Sequence, residues 1–91
     1  MQIKWLRRAL NDLENIVDYI ALDNPTAALA VLDKIEAITA GLANNPKRGR
    51  DGRMPETREL VIPGTAYISV YRFRATRIEV IRVLHSAQQW P

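Results

Sequence analysis

The chain has no cysteine and only one histidine among its 91 residues. Without cysteine, neither a disulfide nor a thiolate metal site can form, and a single histidine does not build a usual zinc centre. No apolar run approaches the roughly 18 residues that a membrane-spanning helix needs. The opening stretch, Met1 to Trp5, does not resemble the apolar part of a signal peptide. We therefore expect a cytoplasmic protein that uses no metal, no cofactor and no membrane.

Glycine and proline are also scarce, with four and five residues respectively. No glycine-rich phosphate loop is present, and neither Ser69 nor Ser86 has the sequence context of a nucleophilic elbow. P-loop chemistry and serine hydrolysis are thus disfavoured. The hydrophobic share of 47% and charged share of 25% are ordinary for a globular protein. Length and composition together predict a single domain over residues 1–91.

What the sequence does contain is clear periodicity in its N-terminal half. Ile3 and Trp5 alternate with polar residues, which predicts a short first strand. Two helical stripes follow, the first made of Leu6, Leu10, Leu13, Val17 and Ile20 and the second of Ala28, Leu32, Ile35, Ile38 and Leu42. Between them, Asn24 suits a helix N-cap and Pro25 the first helical position. The short connection predicts an antiparallel helical hairpin that ends at Asn44–Pro46.

The C-terminal half has the pattern of β-structure. The segments 58–62, 67–74 and 77–85 are rich in valine, isoleucine and tyrosine, and their short connections predict antiparallel neighbours. The predicted order is β-α-α-β-β-β, an α+β domain in which an antiparallel sheet packs on the helical hairpin. Both sides of the last strand are apolar, although the helices can cover only one face. We therefore expect a partner protein to cover part of the second face.

The net charge of +3 is concentrated between residues 44 and 58. Basic side chains outnumber Asp51 and Glu56 there, while the basic and acidic groups of the remaining chain cancel. Such a segment can contact phosphate or an acidic protein surface, although a solvated loop has the same composition. The candidate target-binding residues are Lys47, Arg48, Arg50, Arg53 and Arg58.

A second polar cluster lies on the predicted strands, and its candidate catalytic residues are His85, Arg82, Arg72 and Tyr71. Such residues can cleave RNA without a metal, because a base activates the 2′-hydroxyl, arginine stabilises charge at phosphorus and an acid protonates the leaving oxygen. The same residue types also occupy the solvated rim of an antiparallel sheet, where Arg72 and Arg82 can pair with glutamates across strands. His85 can equally end a core strand with a ring nitrogen bonded to backbone, and Trp90 can pack the tail onto the domain.

Several motifs in order resemble the RelE/ParE superfamily of bacterial toxins. They are Asn45-Pro46 with the basic segment, Arg58-Glu59 opening a strand, Tyr67 followed by Val70-Tyr71-Arg72, and the run from Ile81 to His85. With the strand and helices of the N-terminal half, the resemblance covers nearly the whole chain. It implies the toxin of a type II toxin–antitoxin module, encoded on a plasmid or chromosome and held inactive by a cognate antitoxin.

The superfamily combines one fold with two activities, so the fold alone does not decide between them. RelE-type members cut mRNA in the ribosomal A site, whereas ParE-type members inhibit DNA gyrase. The nucleases resemble one another in carrying lysines on the strand equivalent to 58–62 and an arginine directly after the tyrosine equivalent to Tyr67. This chain has Leu60-Val61-Ile62 and Ile68 in those places, and no tyrosine follows His85. The resemblance therefore implies a ParE-like gyrase inhibitor, with a ribosome-dependent mRNA endoribonuclease and a non-toxic RNA-binding module as alternatives.

The two helical stripes carry more apolar residues than a sheet of short strands can cover. We therefore expect the antitoxin to lay an amphipathic, otherwise disordered segment along the hairpin or the sheet, where it folds on binding. The candidate antitoxin-binding residues are Leu10, Leu13, Val17, Leu32 and Ile35.

Overall fold

A computed structural model describes all 91 residues and shows two helices packed on one sheet. The elements are β1 (Gln2–Trp5), α1 (Arg7–Ala21), α2 (Pro25–Ala40), a 3-10 turn (Gly41–Ala43), β2 (Arg50–Asp51), β3 (Arg58–Val61), β4 (Tyr67–Arg74) and β5 (Arg77–His85). The predicted α+β class and order are confirmed. The short strand β2 is an addition that the sequence pattern did not reveal.

The helical hairpin forms where the sequence predicts it. The Asn24 side chain caps α2 by accepting a hydrogen bond from the Ala27 N–H at 3.0 Å, and Pro25 occupies the first turn. Helix α2 tightens into the 3-10 turn at Gly41, before the predicted stop at Asn44–Pro46. Neither helix has the length and apolar character required to cross a membrane.

The sheet has the strand order β1-β5-β4-β3-β2, and it is antiparallel except at one edge. There β1 pairs with β5 in parallel, with Ile3 opposite Ile78, because the connection from β1 crosses the sheet through the helices. Between β4 and β5 the register shifts, since Val70 pairs with Arg82 and Tyr71 with Val80. Ile81 is thus left without a partner, as at a β-bulge.

The sheet has an apolar cluster on each face. The larger cluster packs the helices on the sheet and includes Ala9, Leu13, Ile35, Leu42, Leu60, Ile62, Tyr71, Ile78, Val80 and Val83. The smaller cluster consists of Ile68, Val70 and Leu84, each at most 1% exposed, with Trp90 packed against it. The chain's own tail therefore covers part of the second face, where we expected a partner, and Trp90 is confirmed as a packing residue.

Candidate functional site

The basic loop, residues 44–58, is fixed to the sheet by one buried tyrosine. The hydroxyl of Tyr71 donates to the Pro46 carbonyl oxygen at 2.7 Å and accepts the Gly49 N–H at 2.9 Å. Burial raises the pKa of Tyr71, so the hydroxyl stays protonated and keeps its donor. Tyr71 is 0% exposed. This candidate catalytic residue therefore anchors the basic loop and is not accessible to a substrate.

Gly49 allows the loop to approach that closely. A Cβ atom at this position would lie 2.7 Å from the Tyr71 hydroxyl oxygen and 3.0 Å from the Glu59 carbonyl oxygen. The first distance is shorter than real Cβ contacts and the second is tighter than most, so a glycine is needed where the loop meets the sheet.

Three of the five candidate target-binding residues are held by intramolecular bonds. The buried carboxylate of Glu59 accepts hydrogen bonds from the Arg50 guanidinium at 3.3 Å and from the Arg53 backbone N–H at 3.0 Å. The Arg53 side chain also lies 3.3 Å from this carboxylate and donates to the Gln88 carbonyl oxygen of the tail at 3.0 Å. Arg58 donates to the Gly49 carbonyl oxygen at 2.8 Å.

The charges of the basic loop still face solvent. The Arg50 side chain is 59% exposed even though it pairs with Glu59. Lys47 and Arg48 are also exposed, and neither takes part in an ion pair. A guanidinium has five N–H donors, so the paired arginines keep donors for a ligand. The loop thus presents a fixed, solvent-exposed basic surface.

The structure adds two residues to this surface that sequence reasoning missed. Arg58, the first residue of β3, pairs with Tyr71 of β4. The residues of β4 after Tyr71 therefore extend past the end of β3 and lie next to the basic loop. Phe73 and Arg74 there line a notch of about 830 Å³ with the segment 51–58. The alternation of Arg72 and Arg74 is visible in the sequence, but the register that carries Arg74 to the loop is not.

His85 ends β5, as one of the two interpretations of the sequence predicts. Its Nδ1 accepts the Ala87 N–H at 3.1 Å, and its ring meets that of Tyr67 edge-on at 5.6 Å. The pKa of Tyr67 is raised by burial and by nearby Tyr19. Both tyrosines line a groove of about 570 Å³ with His85 and Arg82. The histidine is exposed, and its Nε2 faces no protein partner.

The four candidate catalytic residues are not assembled into one site. Arg82 is only 12% exposed and binds Asp12 through two hydrogen bonds of 2.7 and 3.1 Å. Arg72 binds Glu79 at 3.0 Å, as the cross-strand interpretation predicts. Only Arg82 and His85 line a common groove. No three histidine, aspartate or glutamate side chains lie close enough to hold a metal ion.

The candidate antitoxin-binding residues divide by burial. Leu13 and Ile35 are 6% and 0% exposed and belong to the core between helices and sheet, so their side chains do not reach the surface. Val17 and Leu32 are half-buried, and Leu10 is 48% exposed. Further exposed apolar side chains on the hairpin are Tyr19, Leu22 and Leu29.

Sequence comparisons identify relatives along almost the entire chain. The family model described as the ParE toxin of the type II toxin–antitoxin system parDE matches residues 3–90. Y4kP, a candidate toxin of Sinorhizobium fredii, is 42% identical over 99% of this chain and 93% of its own length. Toxin RelE2 of Caulobacter vibrioides is 31% identical over 96% of this chain and 97% of its own.

Solved structures share the fold. The chromosomal ParDE toxin–antitoxin system of P. aeruginosa matches with a TM-score of 0.84 at 28% identity, over 93% of this chain and 95% of that one. The E. coli RelBE toxin–antitoxin complex matches with a TM-score of 0.65 at 15% identity, over 90% of this chain and 92% of that one. The second likeness concerns the fold alone.

Proposed function

The chain belongs to the ParE toxin family of type II toxin–antitoxin systems, and we propose that it stops bacterial growth by interfering with DNA gyrase. One observation carries the choice of target: the side chains required for RNA cleavage are absent or already bonded. Tyr71 anchors the basic loop, Arg72 neutralises Glu79 and Arg82 binds Asp12. A missing charge-stabilising donor typically reduces a reaction rate by about 10²–10³. Gyrase inhibition requires no such chemistry, and either target places the toxin in the bacterial cytoplasm.

A ribosome-dependent mRNA endoribonuclease is the second candidate. The groove with His85, Tyr67 and Arg82 favours it, because the Nε2 of His85 makes no hydrogen bond to the protein and the ring lies edge-on to that of Tyr67. The Caulobacter relatives also carry the name RelE. A free imidazole can act as a general base, but this groove has no unpaired arginine to stabilise the charge at phosphorus.

Two parallel assays separate these targets. Purified toxin is added to a gyrase supercoiling reaction and to ribosomes translating a defined message. We expect supercoiling to be inhibited equally by the wild type and by His85→Ala, and to be inhibited less by Lys47→Ala/Arg48→Ala. The double variant Arg7→Ala/Arg8→Ala removes the same charge from α1 and serves as the matched control. Codon-phased mRNA cuts that vanish in His85→Ala, with supercoiling intact, would establish the nuclease instead.

We further propose that a cognate antitoxin binds the helical hairpin through an amphipathic segment that folds on binding. The support is the apolar surface of the hairpin, where Leu10 is 48% exposed and Val17 and Leu32 are half-buried, together with the family match and the ParDE toxin–antitoxin system among the structural matches. Coupled folding buries on the order of 1,000–3,000 Å² and gives a negative heat-capacity change.

Calorimetry tests this binding mode. Leu10→Ser should weaken the complex, whereas Val61→Ser, at an equally exposed apolar position on β3 outside the hairpin, should leave it unchanged. Binding without a negative heat-capacity change would contradict the proposal. In cells, expression of the toxin alone should arrest growth, and co-expression of the protein encoded by the adjacent gene should restore it.

A further inference from the structure

The notch between the basic loop and the end of β4 is formed by parts of the chain that are distant in sequence. The segment 52–57 closes on itself through the Gly52 N–H and the Thr57 carbonyl oxygen at 2.8 Å. The last residues of β4, Phe73 and Arg74, form the opposite wall. This geometry brings the β4–β5 hairpin and the basic loop onto one surface.

Arg74 lacks the partner that every other arginine of β4 and β5 has. Arg72 and Arg77 share Glu79, and Arg82 binds Asp12, but Arg74 takes part in no ion pair or side-chain hydrogen bond. It is exposed and lies directly opposite Arg77 in the β4–β5 register. Like charges in opposite positions of an antiparallel pair destabilise it. An anion bound at Arg74 would remove this repulsion.

The residue types of the notch favour phosphate over an acidic protein surface. Its basic residues are all arginines, namely Arg53, Arg58 and Arg74, and they outnumber the carboxylates of Asp51 and Glu56. A guanidinium fork binds phosphate oxygens through paired hydrogen bonds, which an ammonium group does not do. Phe73 packs against the core and meets the ring of Tyr71 edge-on at 6.2 Å, so it fixes this wall of the notch beside Arg74.

We infer that this notch binds the phosphodiester backbone of double-stranded DNA, with Arg74 as the main contact. The inference rests on the proposed gyrase function, because gyrase holds duplex DNA while it acts. The toxin would then contact the DNA segment beside the enzyme, and the exposed Lys47 and Arg48 would extend the basic surface along that duplex. Such contacts fix position and carry no sequence preference.

Fluorescence anisotropy with a labelled duplex of arbitrary sequence and the purified full chain, without gyrase, tests the site. For B-DNA the logarithm of the binding constant falls with the logarithm of salt concentration by about 0.9 per phosphate contact. We expect Arg74→Ala to weaken binding several-fold and to reduce this slope by about one contact. Arg74 makes no internal bond and lies opposite a like charge, so the variant should melt no lower than the wild type.

Arg8→Ala is the matched control, because it removes one exposed arginine from α1, outside the notch. Equal losses in Arg74→Ala and Arg8→Ala would overturn the inference, since binding would then follow net charge alone. Preference for single-stranded RNA of the same length would also overturn it. No binding to DNA with gyrase still inhibited would refute the notch and leave the proposed function standing. Arg74-dependent DNA binding without gyrase inhibition would refute the proposed function and leave the notch standing.

Discussion

At the scale of single residues, the two tyrosines of β4 differ most in their hydrogen bonding: Tyr67 begins the strand and Tyr71 lies in its middle. Tyr67 and Tyr71 lie on the same face of the sheet, yet only Tyr71 has its hydroxyl bonded on both sides, to Pro46 and Gly49. A residue type associated with catalysis thus serves to hold the basic loop. The position of the loop depends on one oxygen atom.

Tyr71→Phe tests this role. The change leaves the buried Gly49 N–H and the Pro46 carbonyl without their partner, so we expect it to lower the free energy of unfolding by about 1–3 kcal/mol. Urea denaturation measures the loss, and amide hydrogen exchange at Gly49 should accelerate. Tyr67→Phe is the control, because no hydrogen bond of the Tyr67 hydroxyl is present in the structure, and its stability should match the wild type.

Glu79 makes stability depend on acid pH. Hydrogen bonds from Arg77 and Arg72 hold the pKa of this carboxyl below its ordinary value of 4.5. Because the folded-state pKa is depressed, the stabilisation is present above the unfolded value of 4.5 and is lost as the pH falls through the lowered pKa. Unfolding free energies measured across this acid range should fall less steeply in Glu79→Gln than in wild type. Glu14→Gln, an exposed change on α1 outside the ion pairs, should leave the slope unaltered.

At the scale of elements, helix α1 is joined to β5 at the bulge. Asp12 of α1 binds both the Arg82 side chain and the Val83 backbone N–H, the latter at 2.9 Å. Strand β1 ends opposite Val80, so β5 has no strand on that side at Val83, and the helix supplies the acceptor for its N–H. One aspartate therefore fixes both the position of α1 and the register of β5.

Removing that aspartate should loosen the contact between α1 and β5. We expect Asp12→Ala to cost about 3 kcal/mol, because it leaves the nearly buried Arg82 and the Val83 N–H unpaired. Asp12→Asn keeps an acceptor for the backbone and should cost less. In Asp12→Ala/Arg82→Ala the loss should be smaller than the sum of the single losses, as a double-mutant cycle will show. Additive losses would mean that the pair contributes nothing.

The sequence predicts local elements well because local signals determine them. The period-two pattern gives both ends of β4 and β5, and Asn24-Pro25 gives the start of α2. Contacts between residues that are distant in sequence are not predicted by such local signals. Periodicity tells which side of β4 Tyr71 occupies, but the bulge at Ile81 interrupts the pattern before Arg82. Periodicity also contains no information about Asp12 or Pro46, which approach through tertiary packing. The charge run in the sequence predicts the basic loop, whereas the proximity of Phe73 and Arg74 to it follows only from the strand register.

At the scale of the whole molecule, the tail connects the second face of the sheet to the basic loop. Trp90 packs on Ile68, Val70 and Leu84 of the second face, while Gln88 receives the Arg53 hydrogen bond from the basic loop. The tail thus shields an apolar cluster that the helices do not reach.

Trp90→Ala should uncover that cluster. Since the indole is half-buried, we expect a loss of about 1–2 kcal/mol in the free energy of unfolding. The variant should also bind a fluorescent dye for apolar surfaces more strongly than wild type. Gln89→Ala, an exposed change in the same segment, should do neither. Unchanged dye binding in Trp90→Ala would show that the cluster stays covered without the indole.

The parallel pairing of β1 with β5 has a consequence for how the protein is made. Helices α1 and α2 and strands β2, β3 and β4 all lie between these two partners in the chain. A ribosome synthesises the chain from the N-terminus at about 5–20 residues per second. Strand β1 therefore emerges early and remains unpaired until β5, the last strand, has been synthesised. The helical hairpin, whose contacts are local, can form in the meantime. The sheet that carries the basic surface closes only after β5 has left the ribosome, which gives an antitoxin already present in the cell access to a hairpin without a finished sheet.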